Sequence, residues 1–433
     1  MTHLARRLGV PDAVVVGLGS MLGAGVFVVF APAAASAGAV GLLVAVALAG
    51  AVAFCNATSS ARLAARYPES GGTYVYGRER LNPFAGFLAG WAFVVGKTAS
   101  CAAMALTVGA YLWPQQARPA AVAAVLAVTG VNLRGIGRTA VATRILVALT
   151  LVVLATVAVT GVTGGDFSVD RLGTLDGTGL RGVLTAAGLL FFAFAGYARI
   201  ATLGEEVRDP TRTIPRAVPL ALGVVLAIYL TLAVVALGVL GTDRLATATA
   251  PLAEVVAVSG VPGLSWLVRA GATVAVTGVL LSLLAGVSRT LLAMARRRDL
   301  PGALAAVHPR HRVPHRAELA VATVVVVVVA FGDVRGAIGF SSCTVLVYYA
   351  ITNAAALTLG RDPDRRLPLR LSAVAGLVGC LVLAVTLPTV SVLAGFGVLA
   401  LGALWYVGGS GRVVGGAGLG DDRRRGRQGR RGR

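Results

Sequence analysis

Hydrophobic runs long enough to cross a lipid bilayer recur along almost the entire chain. A membrane-spanning helix needs about 20 predominantly apolar residues, within a range of about 17–25. Twelve segments are predicted to be spans: 12–36, 40–65, 83–112, 119–133, 140–163, 182–204, 215–240, 265–294, 317–332, 336–359, 370–388 and 390–408. A further apolar stretch, 245–260, is bracketed by Pro251 and Pro262. It is predicted to be an external helical loop rather than a span.

The composition agrees with a lipid-embedded body. Hydrophobic residues make up 57% of the 433 residues and charged residues only 13%, whereas a soluble domain carries about 25% charged residues. The four cysteines all lie inside apolar runs without a CxxC pair, which favours free thiols over a disulfide or metal framework. The chain is therefore predicted to be an all-α polytopic membrane protein without a metal or cofactor.

Arginine accounts for most of the net charge of +21 and concentrates in alternate loops between the apolar runs. The loops that follow the even-numbered predicted spans hold most of these arginines, as cytoplasmic loops do. Both termini, residues 1–11 and the Arg- and Gly-rich segment 409–433, are therefore predicted to be cytoplasmic in a multi-pass plasma-membrane protein. The second segment is predicted to be disordered. The lipid bilayer is an expected partner and nucleic acid is not, while the oligomeric state stays open.

The first apolar run contains a dense glycine cluster, GLGSMLGAGVF, over Gly17–Phe27. Such a cluster has two interpretations. Small residues allow helices to pack closely in a membrane, or they mark a local break whose freed backbone groups face a polar cavity. Four glycines within nine residues exceed what close packing requires. The break is the favoured interpretation.

The sixth apolar run, LLFFAFAGYARIATLGEEVRDPTRTIP, contains Gly196 in its middle and Arg199 shortly after it. Paired glycine-interrupted spans in corresponding halves of a transporter indicate a substrate site near the middle of the membrane. The half-helix that follows a break directs free amides and its positive dipole end at an anion. The carbonyl oxygens of an unwound segment can bind a cationic group such as an ammonium. The pair of breaks therefore suits a zwitterion such as an amino acid.

Four motifs in this order resemble those of the amino acid–polyamine–organocation transporter superfamily: GLGSMLGAGVF, YPESGGTYVY, FFAFAGY followed by EEVRDPTRTIP, and SRTLLAMARRRDLP. The resemblance covers about residues 12–408. It implies twelve membrane helices in a leucine-transporter-like fold, with a 5+5 inverted repeat and broken helices 1 and 6. The repeats would cover about 12–163 and 182–359, and two further helices 370–408 would complete the permease domain.

The resemblance also implies a substrate site between the first, third, sixth, eighth and tenth spans. In the first span, the amides of Ala24 and Gly25 would bind the substrate carboxylate. Ser20, Met21 and Gly23 would complete that turn.

In the sixth span, the carbonyls that precede Gly196 would receive the substrate amine. These belong to Phe192, Ala193 and Phe194, and Phe192 matches the position where relatives carry an occluding aromatic ring. Without the motif, packing alone would account for both phenylalanines.

Two positions depart from the family pattern. Many relatives carry Asp or Glu two residues after the sixth-span glycine, where this chain has Ala198, and some carry Lys in the fifth span, where it has Thr150. The coupling ion therefore stays open between proton and sodium. Arg199 is expected either to form a gate with Glu205 and Glu206 or to join a purely structural ion pair.

Lys97 is the one lysine of the chain, and it lies inside the third predicted span. A charged side chain at the membrane centre costs at least about 2.5–3.5 kcal/mol and marks a functional position by default. Lys97 is a candidate for contacting the substrate or for coupling transport to protons. A structural counter-ion or a snorkelling side chain is the alternative.

Secondary active transport of amino acids by alternating access is the predicted function. The cationic side chains near the site, and the absence of an acid at the position of Ala198, favour neutral or acidic amino acids over cationic ones as substrates. The alternatives are an exchanger of amines or other organocations, and a membrane sensor that binds amino acids without transporting them. An enzyme is not expected, because all four histidines lie in termini or loops. ATP-driven transport is not indicated either, because the sequence contains no P-loop motif.

Overall fold

A computed structural model of the chain describes residues 8–67, 71–135, 140–164, 166–173, 179–201, 207–260, 263–359 and 366–417. These residues form sixteen α-helices: α1 (Val10–Met21), α2 (Ala24–Val28), α3 (Phe30–Arg66), α4 (Thr73–Arg80), α5 (Pro83–Leu112), α6 (Ala117–Leu133), α7 (Ala140–Thr163), α8 (Leu180–Phe194), α9 (Ala198–Ala201), α10 (Pro210–Thr247), α11 (Pro251–Val258), α12 (Leu264–Arg296), α13 (His315–Phe331), α14 (Val334–Leu357), α15 (Arg366–Thr386) and α16 (Thr389–Ala417). The prediction of an all-α chain is confirmed for this part of the molecule.

Ten helical segments within the described ranges are long and apolar enough to cross a membrane: Val10–Val28, Phe30–Arg66, Pro83–Leu112, Val141–Thr163, Leu180–Ile200, Pro210–Thr247, Leu264–Arg296, Val334–Leu357, Leu367–Thr386 and Thr389–Gly408. The other two predicted spans, 119–133 and 317–332, fall on α6 and α13, which have 17 residues each. These two helices lie at the short end of what a bilayer requires. The predicted external loop 245–260 contains the short helix α11.

Two glycines kink the long helices α3 and α10, each of which continues beyond a single predicted span. Gly38 in α3 has φ 65° and ψ −170°, and Gly241 in α10 has φ 69° and ψ 171°. Glycine reaches positive φ without the steric cost that a Cβ atom imposes. Gly38 therefore ends the first predicted span, and Gly241 ends the seventh before the chain turns toward α11.

The last helix, α16, extends to Ala417 and so overlaps the start of the segment 409–433, for which disorder stays a prediction. Residues 418–433 lie outside the described part of the chain.

The helices pack into two groups. One group, the bundle, consists of α1, α2, α3, α8, α9 and α10, in which α3 packs extensively against both α8 and α10. The other group, the scaffold, consists of α5, α6, α12, α13 and α14, with α5 packed against α12 and α14. The helix α7 contacts α1 and α10 as well as α12, so it bridges the two groups.

The segment before α1 is tied to the segment before α10. Leu8 and Val207 form an isolated parallel backbone pairing, in which the Arg208 amide donates to the Leu8 carbonyl at 2.8 Å. One turn into α1, Asp12 forms an ion pair with Arg144 of α7. These contacts connect the start of α1 to α7 and to the segment before α10.

A second network lies around Asp299, just after α12. Its carboxylate accepts from the Tyr74 hydroxyl at 2.5 Å and from Arg78 Nη2 at 2.7 Å. Burial, together with this hydrogen bond, raises the pKa of the Tyr74 phenol. Trp405 of α16 donates to the Asp299 carbonyl at 3.0 Å. The network thereby connects α4, α12 and α16.

Replacing Asp299 by Asn is expected to lower the free energy of unfolding by about 1–3 kcal/mol, because the poorly exposed Arg78 guanidinium loses its counter-ion. The measurement is the thermal unfolding of the purified protein in detergent. Asp209→Asn is the matched control, because its partner Arg212 is 79% exposed and exposed pairs contribute little. Equal stabilities of the two variants would contradict a structural role for the network.

Candidate substrate site at two helix breaks

The first membrane segment is broken in the middle of its glycine cluster. The helix α1 ends at Met21 and α2 begins at Ala24, while Leu22 has φ −79° and ψ 47° and Gly23 has φ −101° and ψ −144°. Carbonyls at the end of α1 and amides at the start of α2 lose their helical partners at such a boundary. The local break that the sequence predicts is therefore present at Gly23.

The sixth membrane segment stays helical, but its backbone changes from α-helical to 3₁₀-helical geometry in the middle. The helix α8 ends at Phe194, a 3₁₀ turn covers Ala195–Tyr197, and α9 follows at Ala198. A 3₁₀ stretch in mid-helix is typical of a hinge and disturbs the regular backbone hydrogen bonding. Gly196 lies in the middle of this turn.

The two breaks touch each other backbone to backbone. A Cβ atom added to Gly25 would lie 2.5 Å from the Cα and Cβ atoms of Ala193, and one added to Gly196 would lie 2.3 Å from the Ser20 carbonyl oxygen. One added to Gly17 would lie 2.4 Å from Ile200. Both interpretations of the glycine cluster therefore hold, because Gly23 forms the break while Gly17 and Gly25 permit close packing.

Tyrosine hydroxyls meet the carbonyls at the two breaks. Tyr229 Oη lies 2.7 Å from the Met21 carbonyl oxygen and 3.0 Å from that of Ala193. Tyr349 Oη donates to the Ala195 carbonyl at 3.3 Å. The sequence analysis did not identify either residue. For Tyr229 a signal exists, since it is a polar group in the middle of the apolar seventh run.

The predicted aromatic residues of the sixth segment differ in their surroundings. Phe194 is fully buried, and its ring packs against Tyr229 with a centroid distance of 4.9 Å. Phe192 is 8% exposed. Phe194 thus belongs to the packing around Tyr229.

The predicted residues of the first turn lie together at the break. Met21 and Ala24 are buried, as is Gly25. The Ser20 hydroxyl donates to the Val16 carbonyl at 2.9 Å, one turn back in α1. Its hydrogen bond thus stays within its own helix.

Lys97 is buried on α5, with 9% of its surface exposed. Within the described residues, no hydrogen bond or ion pair involves its ammonium group. Its neighbours along α5 pack tightly against α14: Ser100 Oγ lies 2.6 Å from Ser341 Oγ, and a Cβ atom on Gly96 would lie 2.3 Å from Thr344 Oγ1. The described residues therefore include no acidic group for which the Lys97 ammonium would be a structural counter-ion.

Of the other coupling and gating candidates, the structure describes Arg199 and Thr150. Arg199 on α9 is exposed, and Glu205 and Glu206 lie outside the described residues. Thr150 of α7 donates to the Leu146 carbonyl at 2.7 Å. It lines a cavity of 10 Å³ between α1, α7 and α12, which is close to the space that one water molecule needs.

A larger cavity of 400 Å³ opens beside the end of α2. It lies among the starts of α3 and α14, the end of α5 and residues 247–249, and its charged lining groups are Arg118, Asp333 and Arg335. Asp333 Oδ1 accepts from the Gly336 amide at 2.9 Å and so caps α14. Small-molecule sites usually have volumes of about 300–1,000 Å³. Two guanidinium groups against one carboxylate give this cavity a positive balance, which favours solutes that carry a carboxylate.

Glu318 is a buried acid that the sequence analysis missed. It is 3% exposed, and its Oε1 accepts from Asn132 Nδ2 at 2.8 Å, which also lies 3.1 Å from the Leu281 carbonyl oxygen. The signal in the sequence is a lone acid at the start of the ninth apolar run. The histidines nearby do not form a metal site, since the described residues contain no suitable group of His, Cys, Asp or Glu.

Comparison with known proteins relates the sequence of this chain to those of solute transporters. The sequence profile of the amino acid permease family matches residues 12–359. An uncharacterized transporter of Mycobacterium tuberculosis is 62% identical over 404 residues, which cover 93% of this chain and 91% of the relative. A branched-chain amino acid permease of Bacillus subtilis is 28% identical and covers 72% of both chains. A vacuolar cationic amino acid transporter of Arabidopsis thaliana is 28% identical, over 85% of this chain and 62% of the relative.

Proposed function

Because the chain belongs to the amino acid permease family, we propose that it is a secondary active transporter that moves amino acids by alternating access. The family and the relatives are transporters, so the prediction that the chain is not an enzyme is confirmed. The observation that carries the proposed mechanism is the direct contact between the breaks, Gly25 against Ala193 and Gly196 against Ser20. The two helix groups supply the bodies that move relative to each other. In this proposal the bundle rocks against the scaffold and exposes the breaks to either side in turn.

The proposed substrate site lies at the breaks. The amides of Ala24 and Gly25 bind the substrate carboxylate, within the turn that Ser20, Met21 and Gly23 form. The carbonyls around Ala193 bind the ammonium group, and Phe192 covers it. The exposed carbonyls and amides of broken membrane helices bind ions and polar groups in this way. Lys97, buried without a described ion-pair partner, is proposed to face the same pathway.

We propose the full twelve-span topology for this fold, with a 5+5 inverted repeat and both termini in the cytoplasm of a plasma-membrane protein. The ten long apolar segments support it, together with α6 and α13 as two short spans. The arginine-rich loops support the orientation, since positively charged loops stay in the cytoplasm. In this orientation the 400 Å³ cavity is the external entrance.

We propose that the substrate is a neutral or acidic amino acid rather than a cationic one. Lys97 near the pathway and the two arginines of the external cavity repel a second positive charge. Ala198 leaves the position two residues after Gly196 without the acid that many relatives carry there. Among the relatives, the branched-chain amino acid permease points to neutral side chains, while the vacuolar transporter is named for cationic ones.

The experiment is uptake by purified protein in proteoliposomes, with labelled leucine, glutamate, arginine and putrescine compared at equal concentration. Leucine or glutamate is expected to enter at least about tenfold faster than arginine, because one unfavourable charge contact of about 1.4 kcal/mol corresponds to that ratio. Empty liposomes provide the control. Preferred uptake of arginine or putrescine would overturn the substrate proposal and favour an organocation exchanger. Binding without flux for every compound would overturn transport itself.

A further inference from the structure

A hairpin of basic and imidazole side chains, HPRHRVPHR over residues 308–316, lies between α12 and α13 and runs into the first turn of α13. The His308 amide donates to the Val313 carbonyl at 2.8 Å, and the Arg312 amide donates to the His308 carbonyl at 2.9 Å. Pro309 and Pro314 restrict the backbone further, because the proline ring fixes φ. The contacts within the hairpin therefore hold its backbone in a defined shape.

The three imidazole rings of the hairpin lie side by side. The ring of His308 is in the centre, with centroid distances of 4.9 Å to His311 and 5.6 Å to His315. His308 Nδ1 accepts from two backbone amides at 3.3 Å, so its neutral ring carries the proton on Nε2 and can donate it to a ligand. His315 Nδ1 is buried without a hydrogen-bond partner in the described part of the chain. The rings thus retain hydrogen-bonding capacity that the protein itself does not use.

Positive charge collects around these rings without a counter-charge on the surface. The hairpin contributes three exposed arginines: Arg310, Arg312 and Arg316. The end of α6 adds the exposed Arg134, whose neighbour Gly135 packs so closely that an added Cβ atom would lie 3.1 Å from the His311 carbonyl oxygen. None of these four guanidinium groups has an ion-pair partner in the ranges that the structure describes. The acid in the first turn of α13, Glu318, is buried and hydrogen-bonded to Asn132.

An exposed apolar stripe leads from the hairpin along α13. Leu319, Val324, Val327 and Phe331 are each about half exposed or more. With 3.6 residues per turn, these positions fall on one side of the helix, and Arg316 begins the same side. Because α13 is one of the proposed spans, this side faces lipid acyl chains, and Arg316 lies at the level of the headgroups, where basic residues flank membrane helices.

We propose that the hairpin 308–316 binds the phosphate headgroup of an anionic phospholipid whose acyl chains lie along the exposed side of α13. The inference rests on α13 crossing the membrane, and it is independent of whether the protein transports amino acids. Guanidinium groups match phosphate oxygens in geometry and charge, and basic clusters beside a span attract anionic lipids. The apolar stripe favours a lipid over a soluble phosphate, since a soluble anion has no use for it.

The three imidazoles make this binding depend on pH. Imidazole is the side chain that ordinarily gains a positive charge as the pH falls from about 8 to about 5. The phosphodiester of a phospholipid such as phosphatidylglycerol keeps its single negative charge over most of this range. Lipid binding is therefore stronger at the lower pH, and the change arises in the protein.

The test measures the binding of a fluorescent phosphatidylglycerol to the purified full-length protein in detergent, at about pH 8 and about pH 6. Phosphatidylcholine, which carries a phosphate but no net charge, is the comparison ligand, and glycerol phosphate is the competitor without acyl chains. Two variants remove groups of the hairpin: Arg310→Gln with Arg312→Gln, and His308→Gln with His311→Gln and His315→Gln. Arg212→Gln with Arg216→Gln is the matched control, because these two arginines are exposed at the start of α10 in a stretch without histidine.

Phosphatidylglycerol is expected to bind more tightly than phosphatidylcholine, and more tightly at the lower pH. An arginine near an anionic headgroup contributes about fivefold in affinity, so the double arginine variant of the hairpin is expected to lose about twentyfold. The histidine variant is expected to keep its affinity at the higher pH and to lack the increase at the lower one. The control variant is expected to retain both the affinity and its pH dependence.

Three results would overturn the inference. Equal losses in the two double arginine variants would reduce the hairpin to an ordinary basic loop. Displacement of the fluorescent lipid by glycerol phosphate would identify a soluble anion as the ligand. A pH effect that survives the removal of the three imidazoles would place the titrating group elsewhere. Binding is measured without an amino acid, so an absence of flux, which contradicts the proposed function, leaves all of these comparisons in place.

Discussion

Alanine at Gly25 or at Gly196 is expected to reduce amino acid transport by about tenfold to a hundredfold. The added Cβ atoms would lie 2.5 Å from the Ala193 backbone and 2.3 Å from the Ser20 carbonyl oxygen. The partner atoms are backbone and cannot rotate away, so the breaks must move apart. Overpacking of this kind costs about 1–3 kcal/mol, and each 1.4 kcal/mol corresponds to about tenfold in an equilibrium. Initial rates of leucine uptake in proteoliposomes measure the loss.

Gly223→Ala in α10 and Gly286→Ala in α12 are the matched controls, because a Cβ atom at either position meets no heavy atom within 4 Å. Both variants are expected to keep their transport and to gain slightly in stability, since alanine favours a helix over glycine by about 1 kcal/mol. Transport by Gly25→Ala and Gly196→Ala at the level of these controls would show that contact between the breaks is not needed.

Replacing Lys97 by Met is expected to stabilise the protein and to impair its transport. The substitution keeps a long flexible side chain but removes the ammonium group of a residue that is 9% exposed and has no described ion-pair partner. A charge in the membrane interior costs about 2.5–3.5 kcal/mol, so the gain in stability is expected to approach that range. Thermal unfolding measures this gain, and leucine uptake across a pH series measures function.

The pH series separates the possible roles of Lys97. Where the amine takes part in proton coupling, the rate becomes independent of pH in Lys97→Met and in Lys97→Gln. Thr107→Val is the control on the same helix, since the buried Thr107 hydroxyl donates only to the Ala103 carbonyl one turn back. Unchanged rates and an unchanged pH profile in both Lys97 variants would remove this residue from the mechanism.

The helices could be predicted from the sequence because lipid imposes a simple length requirement on apolar runs. The positions of the bends within these helices could be predicted less accurately. Gly38 and Gly241 adopt positive φ, but glycines of the same appearance, such as Gly50, remain helical. The choice between these outcomes depends on neighbouring helices, which a single sequence does not reveal.

The candidate site, too, could be predicted from the sequence only in part. The break at Gly23 was predictable because its signal, a cluster of glycines in an apolar run, is local. Tyr229 and Glu318 were not predicted as site residues, since their partners come from distant parts of the chain: Met21 lies 208 positions before Tyr229, and Asn132 lies 186 positions before Glu318. Contacts over such separations follow from the fold and not from the local pattern.

The pairing of Leu8 with Val207 has a consequence for the populations of the transport cycle. One backbone hydrogen bond contributes about 0.5–1.5 kcal/mol, and an exposed ion pair such as Asp12 with Arg144 about 0.2–1 kcal/mol. Together these contacts oppose the separation of the start of α1 from α7 and from the segment before α10 by about 1–2 kcal/mol, which is a ratio of roughly five to thirty. Contacts as weak as these can be broken by thermal motion alone. A substrate needs only a modest difference in affinity between the joined and the separated arrangement to shift this balance, while the direction of net transport is set by the solute gradients.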